Sequence, residues 1–162
     1  MDANNPDLSR PTRHAARHRL REVADFQERL RDTAGEPLGM RVVSVDENHL
    51  AIEMAITDAA RQPMGLLHGG VSMLLAETAA SLHAGWNLDL SLRVPVGIEI
   101  GGSHLQSATE GHVRAVAKVT KRSNRLVFHQ VEILHVETGQ LLCLARVTNY
   151  LKTSPAARGA RE

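Results

Sequence analysis

The sequence predicts an α+β domain in which an antiparallel sheet of five to six strands curls around one long central helix. Three observations carry that prediction. From Gly69 to Gly85 the residues are nearly all small or apolar, on every helical face, and a helix apolar all round has to be buried. The segments that flank it read as strands, and in His49 to Thr57 Leu50, Ile52, Met54 and Ile56 alternate with Ala51, Glu53, Ala55 and Thr57 at period two. A chain of 162 residues suits one domain with one core, so the only cover available to the helix is the sheet itself.

Composition narrows the function classes. Hydrophobic residues make up 43% and charged residues 23% of the chain, the balance of a folded globular protein. A net charge of +1 gives no global attraction to nucleic acid or a membrane surface. Phe26, Trp86, Phe128 and Tyr150 are too few for a base-stacking platform. The one cysteine, Cys143, leaves no intrachain disulfide; its apolar surroundings mark it as a buried small hydrophobe. No segment reaches the length of a membrane span, and the N-terminus lacks the apolar core of a secretory signal. A cytoplasmic location is therefore expected, with no nucleic-acid or membrane partner. No histidine pair has the spacing of a helical zinc motif, so no metal is expected.

Taken in order, residues 1–11 are polar and turn-rich, and are expected to be flexible. A helix is predicted from Thr12 to Arg31, with Leu20, Val23, Phe26, Gln27 and Leu30 at helical spacing and Arg13, Arg17 and Arg21 on a solvated face. Gly35 and Pro37 end it, which places the main domain at residues 36–152. Met40 to Val45 and His49 to Thr57 read as two strands joined by the turn Asp46-Glu47-Asn48. After the central helix come Ser91 to His104, Gly111 to Thr120, Leu126 to Val136 and Leu141 to Leu151. The first of these carries Pro95, Gly97, Gly101 and Gly102, which predict a bulge, or an edge where a ligand passes closely. Residues 153–162 read as a disordered tail.

Chemistry concentrates on the central helix. Glu77 is its lone carboxylate, with no Lys or Arg at three or four residues on either side and Ser81 at the fourth position beyond. A buried unpaired carboxylate costs several kcal/mol, at order of magnitude, unless it is compensated. Its placement therefore calls for a functional reason.

Several motifs resemble one family. Gln62, the triplet His68-Gly69-Gly70, Glu77, Ser81, Gly97 with Glu99, His104, the stretch Glu110-Gly111-His112-Val113-Arg114, and Ser123-Asn124-Arg125 follow one another across residues 38–152. In this order they resemble the hotdog-fold acyl-CoA thioesterases. The nearest branch includes phenylacetate-pathway thioesterases, the Glu-on-helix 4-hydroxybenzoyl-CoA thioesterase and the 1,4-dihydroxy-2-naphthoyl-CoA thioesterase of menaquinone synthesis. Gly101, Ser103 and Gln106 depart from the residues that many such relatives carry. The resemblance implies hydrolysis of an aromatic or medium-chain acyl-CoA to free acid and CoA, without a cofactor, since CoA is part of the substrate. It also implies a homo-oligomer, commonly a tetramer of two dimers.

The residues themselves allow roles to be assigned. The amides of Gly69 and Gly70 stand at the positive end of the helix dipole, suited to a developing oxyanion. Glu77 is the base or nucleophile. Eight residues of helix separate Gly69 from Glu77, roughly 12 Å at about 1.5 Å per residue. One thioester cannot span that gap, so Glu77 is expected to act with Gly69 of another subunit, the two central helices lying side by side and antiparallel. Gln62 is a candidate hydrogen-bond donor to the thioester or water, Ser81 orients water or Glu77, and His68 fixes its loop or contacts the thioester. Lys121, Arg122, Ser123, Asn124 and Arg125 make a short basic turn suited to CoA phosphates, with His104 expected in the same groove. Two other functions compete: a hotdog dehydratase or hydratase, whose His/Asp pair the helix lacks, and a non-catalytic acyl-CoA regulator, for which about 35 preceding residues are too few to hold a DNA-reading domain.

Overall fold

The computed structural model describes residues 19–154 and 157. Its elements are the helix α1 (Val23–Glu28), the strands β1 (Arg41–Val45) and β2 (His49–Ala55), the helix α2 (Gly69–Ala84), and the strands β3 (Arg93–His104), β4 (His112–Arg122), β5 (Leu126–His135) and β6 (Leu141–Thr153). The six strands form one antiparallel sheet in the order β1-β2-β4-β5-β6-β3. This is the predicted α+β arrangement, with the hotdog pattern of a long helix packed against a curled sheet.

The predicted N-terminal helix needs correction. Residues 12–18 of it, the stretch expected to be flexible and seven of the ten residues of the expected tail lie outside the described residues; Thr153, expected in that tail, instead ends β6, and Ser154 is buried. Within them, α1 has only six residues. Its start is fixed because the Asp25 carboxylate accepts from the Arg21 and Glu22 amides, both at 3.1 Å. Upstream, Leu20 instead forms a bridge with Trp86. The Arg21 guanidinium donates to Asn87 Oδ1 at 2.7 Å. Phe26 is buried and stacks on Trp86 with ring centroids 6.2 Å apart, which ties α1 to the end of α2.

Turn chemistry sets the β1–β2 register. Asp46 Oδ1 accepts from the amides of Asn48 at 2.7 Å and His49 at 2.9 Å. The inward residues of β4, β5 and β6, among them Val113, Ala115, Val131, Ile133 and Ala145, meet Leu75, Ala76, Ala79 and Ala80 of α2 in one core. The alanines keep that helix face shallow and let the sheet approach closely. Burial in the same core pushes the Cys143 thiol pKa up.

β3 is an edge strand, where Pro95 removes no needed ladder donor. The predicted bulge lies between Gly97 and Glu99. It inserts Ile98 and so reverses the parity of the strand. Gly97 faces α2 before the bulge, and Gly102 and His104 face it afterwards, as their pairing with Asn149, Ala145 and Cys143 requires.

Candidate active site

α2 buries one face only. Leu75, Ala76, Ala79 and Ala80 are buried, whereas Leu74, Glu77, Thr78, Ser81 and Leu82 on its other side are half-buried. The sequence implied a helix enclosed all round; six strands cover one side of it and leave a flank open.

Glu77 lies on that open flank, against the edge strand. A Cβ at Gly97 would collide with Glu77 Oε1, so the strand accepts the carboxylate only because position 97 is glycine. Among the described residues Glu77 has no hydrogen-bond or ion-pair partner. One turn further on, Ser81 Oγ accepts from Asn149 Nδ2 at 2.8 Å. That bond leaves the hydroxyl proton of Ser81 available to Glu77 or to a water molecule. Asn149 is fully buried, pairs with Gly97 across the ladder, and its Oδ1 has no partner among the described residues. Sequence reading missed it. The signal was a polar residue at an inward position of an otherwise apolar alternation.

The N-terminus of α2 is built by its loop. His68 is the N-cap, and its Nδ1 accepts from the Gly70 amide at 2.8 Å. The expectation of two open amides is thereby corrected to one. Gly70 N–H is already satisfied, and Gly69 N–H has no partner among the described residues. The His104 ring sits against Gly69, so close that a Cβ there would lie 2.8 Å from its Nε2. Gln62 turns its side chain back on its own loop, where Oε1 accepts from the Met64 amide. Its Nε2 remains a donor.

The basic turn lies at the opposite end of α2. Arg122 donates to the carbonyls of Ala84 at 3.0 Å and His83 at 3.1 Å, capping the C-terminus of the helix. Two of its five N–H groups are thus held within the fold, a capping role that the sequence reading, which assigned Arg122 to CoA phosphates, did not foresee. The Ser123 hydroxyl donates to the Leu126 carbonyl and accepts from the Leu126 amide, holding the turn. Lys121, Asn124 and Arg125 are exposed. His104 does not share a groove with this turn within one chain, because the 16 residues of α2 stand between them.

Beneath the C-terminal end of α2, a buried histidine pair went unread in the sequence. His83 Nε2 lies 3.0 Å from the Asp46 carbonyl, and His83 Nδ1 lies 2.9 Å from His129 Nε2. Donation to the carbonyl makes His83 Nδ1 an acceptor and His129 Nε2 the donor. His129 Nδ1 then remains a buried lone pair without a partner among the described residues. Burial, with Arg122 nearby, lowers the pKa of His83 to about 4 and that of His129 to about 3.

Residues 64–153 match the thioesterase superfamily. A 1,4-dihydroxy-2-naphthoyl-CoA hydrolase from Listeria monocytogenes is 35% identical over 117 residues, 72% of this chain and 94% of that protein. The Escherichia coli protein of the same name is 38% identical over 111 residues, 68% of this chain and 80% of its own. Among solved structures, a thioesterase from Haemophilus influenzae superposes with a TM-score of 0.78 at 27% identity, covering 84% of this chain and 94% of that one. A mutant thioesterase from Pseudomonas aeruginosa gives 0.77 at 27% identity, covering 82% and 94%. The long helix, the curled sheet and the sequence match agree: the chain belongs to the thioesterase superfamily and is a thioester hydrolase of the hotdog fold.

Proposed function

We propose that the chain hydrolyses an aromatic or medium-chain acyl-CoA to the free acid and CoA, with Glu77 as base or nucleophile and the Gly69 amide of a partner subunit as oxyanion donor. The observation that carries this reading is the separation of the two groups on one helix. Glu77 lies on the open flank of α2 without a partner among the described residues, and the Gly69 amide, likewise without one, lies two helical turns away. A second copy supplies the missing half. The edge of β3 bears the exposed apolar side chains Val96 (41%) and Ile98 (57%), and an unpaired apolar edge invites pairing. Two copies joined antiparallel along β3 bring Glu77 of one helix beside Gly69 of the other. They also bring Lys121 and Arg125, at the C-terminal end of one α2, toward the other's Gly69 end, where a CoA phosphate would lie. The aromatic preference is supported by the naphthoyl-CoA hydrolases among the relatives.

Chemically, the Gly69 N–H and the helix dipole stabilise the tetrahedral oxyanion. As base, Glu77 takes a proton from the attacking water; the C–O bond forms, the C–S bond breaks, and the thiolate leaves to be protonated. As nucleophile, it forms an acyl anhydride that water then opens at the carboxyl of Glu77. A single turnover in isotope-labelled water separates the two: the label enters the product acid in the first case and the protein in the second. The direct test is thiol release from benzoyl-, hydroxybenzoyl-, phenylacetyl- and straight-chain acyl-CoAs. Glu77→Ala should lower turnover by at least about a thousandfold with its oligomeric state intact. Tight binding of these esters without thiol release by the wild type would contradict the proposal and favour a regulator.

A further inference from the structure

Opposite the open flank of α2 runs the segment that follows α1, residues 29–35. A cavity of about 360 Å³ lies between the two, with Leu74, Thr78 and Leu82 of α2 and Pro95 of β3 on one side, Leu30 and Ala34 on the other, and Glu77 with Ser81 among its lining. Its volume falls within the usual ~300–1,000 Å³ of small-molecule sites, and an apolar lining with a few convergent polar groups is characteristic of them.

The segment is built to hold its position. Leu30 is buried in the core. Gln27 Oε1 accepts from the Val42 amide at 2.8 Å, and the Thr33 hydroxyl donates to the Leu30 carbonyl at 2.7 Å. Gly35 packs so tightly that a Cβ would lie 3.0 Å from Met40 Sδ, and its carbonyl accepts from the Met40 amide at 3.0 Å. Ala34, by contrast, is exposed and lines the cavity. The segment also precedes the residues that match the family, which begin at position 64.

We infer that residues 29–35 form the acyl-selecting wall of the Glu77 site, holding the ring or chain of the acyl group between Leu30 and Ala34 on one side and Leu74, Thr78 and Leu82 on the other. This rests on the thioesterase mechanism proposed for Glu77. It assigns to the N-terminal segment the discrimination between acyl groups by size, with compact aromatic and medium-chain groups accepted and longer ones excluded. A fixed apolar wall discriminates by about tenfold or more for each methylene-sized change.

The test is a graded enlargement of Ala34. Ala34→Val and Ala34→Leu are assayed by thiol release on straight-chain acyl-CoAs from butanoyl to dodecanoyl, with benzoyl- and phenylacetyl-CoA beside them. The ratio of kcat/KM for the largest accepted acyl group to that for butanoyl-CoA should fall stepwise, by at least about tenfold in Ala34→Leu. Because Ala34 is exposed, thermal melts should stay close to wild type. Wild-type cleavage with the ratio unchanged in both variants would overturn the acyl wall and leave the mechanism standing. Absence of thiol release by the wild type from every ester would overturn both.

Discussion

Glu77 is tolerated in an apolar helix because it is only half-buried, on the flank that the sheet leaves open, against a glycine that makes room for its carboxylate. Gly97→Ala should therefore act on catalysis more than on stability. The clash is with the mobile end of Glu77, and displacing a catalytic group by about 1 Å costs on the order of 100-fold in kcat. Steady-state kinetics within twofold of wild type would contradict the placement. The histidine pair gives a second residue-scale prediction. Both rings have folded pKa values, about 4 and about 3, below the ordinary histidine value near 6.5, so the unfolded chain binds more protons than the folded one as pH falls below 6.5. The stability contributed by the neutral pair is whole above about pH 7 and is lost on acidification, at up to about 1.4 kcal/mol per ring for each pH unit. The urea midpoint should fall between pH 7 and pH 5, and fall less steeply in His129→Leu. A flat wild-type profile over that range would exclude a neutral buried pair.

At the scale of elements, the strands were legible because period-two alternation survives wherever one face of a sheet is buried, and their observed ends fall within a few residues of those predicted. Gly97 and Pro95 marked β3 as irregular, but nothing in the sequence showed that one inserted residue, Ile98, turns Gly102 and His104 toward α2. The N-terminal helix was misjudged because helical spacing of apolar residues also fits a short helix followed by a packed turn, as around Leu30 and Thr33. The basic turn was half legible. Its composition suits phosphate binding and helix capping equally, and only the fold shows that Arg122 reaches the carbonyls of His83 and Ala84. Arg122→Ala should accordingly cost about 1 kcal/mol of stability and leave KM for the ester little changed. Lys121→Ala combined with Arg125→Ala should raise KM several-fold and weaken its salt dependence. The reverse pattern in denaturation and kinetics would return Arg122 to the substrate.

At the scale of the molecule, Glu77 and the Gly69 amide stand two turns apart on the same helix, which is the basis for proposing a site shared between subunits. That spacing was readable in the sequence, whereas the cavity beside Glu77 was not, because it depends on where the chain before β1 folds back. The proposed mechanism requires that a working site draw on two subunits. Gly69→Pro tests it in combination with Glu77→Gln. Proline is favoured at the first position of a helix and the residue before it is already extended, so the substitution removes the Gly69 N–H and, on the same subunit, pushes aside the His104 ring that lies against position 69. Gly69→Pro and Glu77→Gln should each be inactive alone. Mixed under conditions that let subunits exchange, they form heterodimers in which one site combines an intact Gly69 with an intact Glu77. Thiol release should then return to about a quarter of the wild-type rate, since half of the dimers are mixed and each regains one site of two. Mixtures that exchange subunits and stay inactive would contradict the shared site.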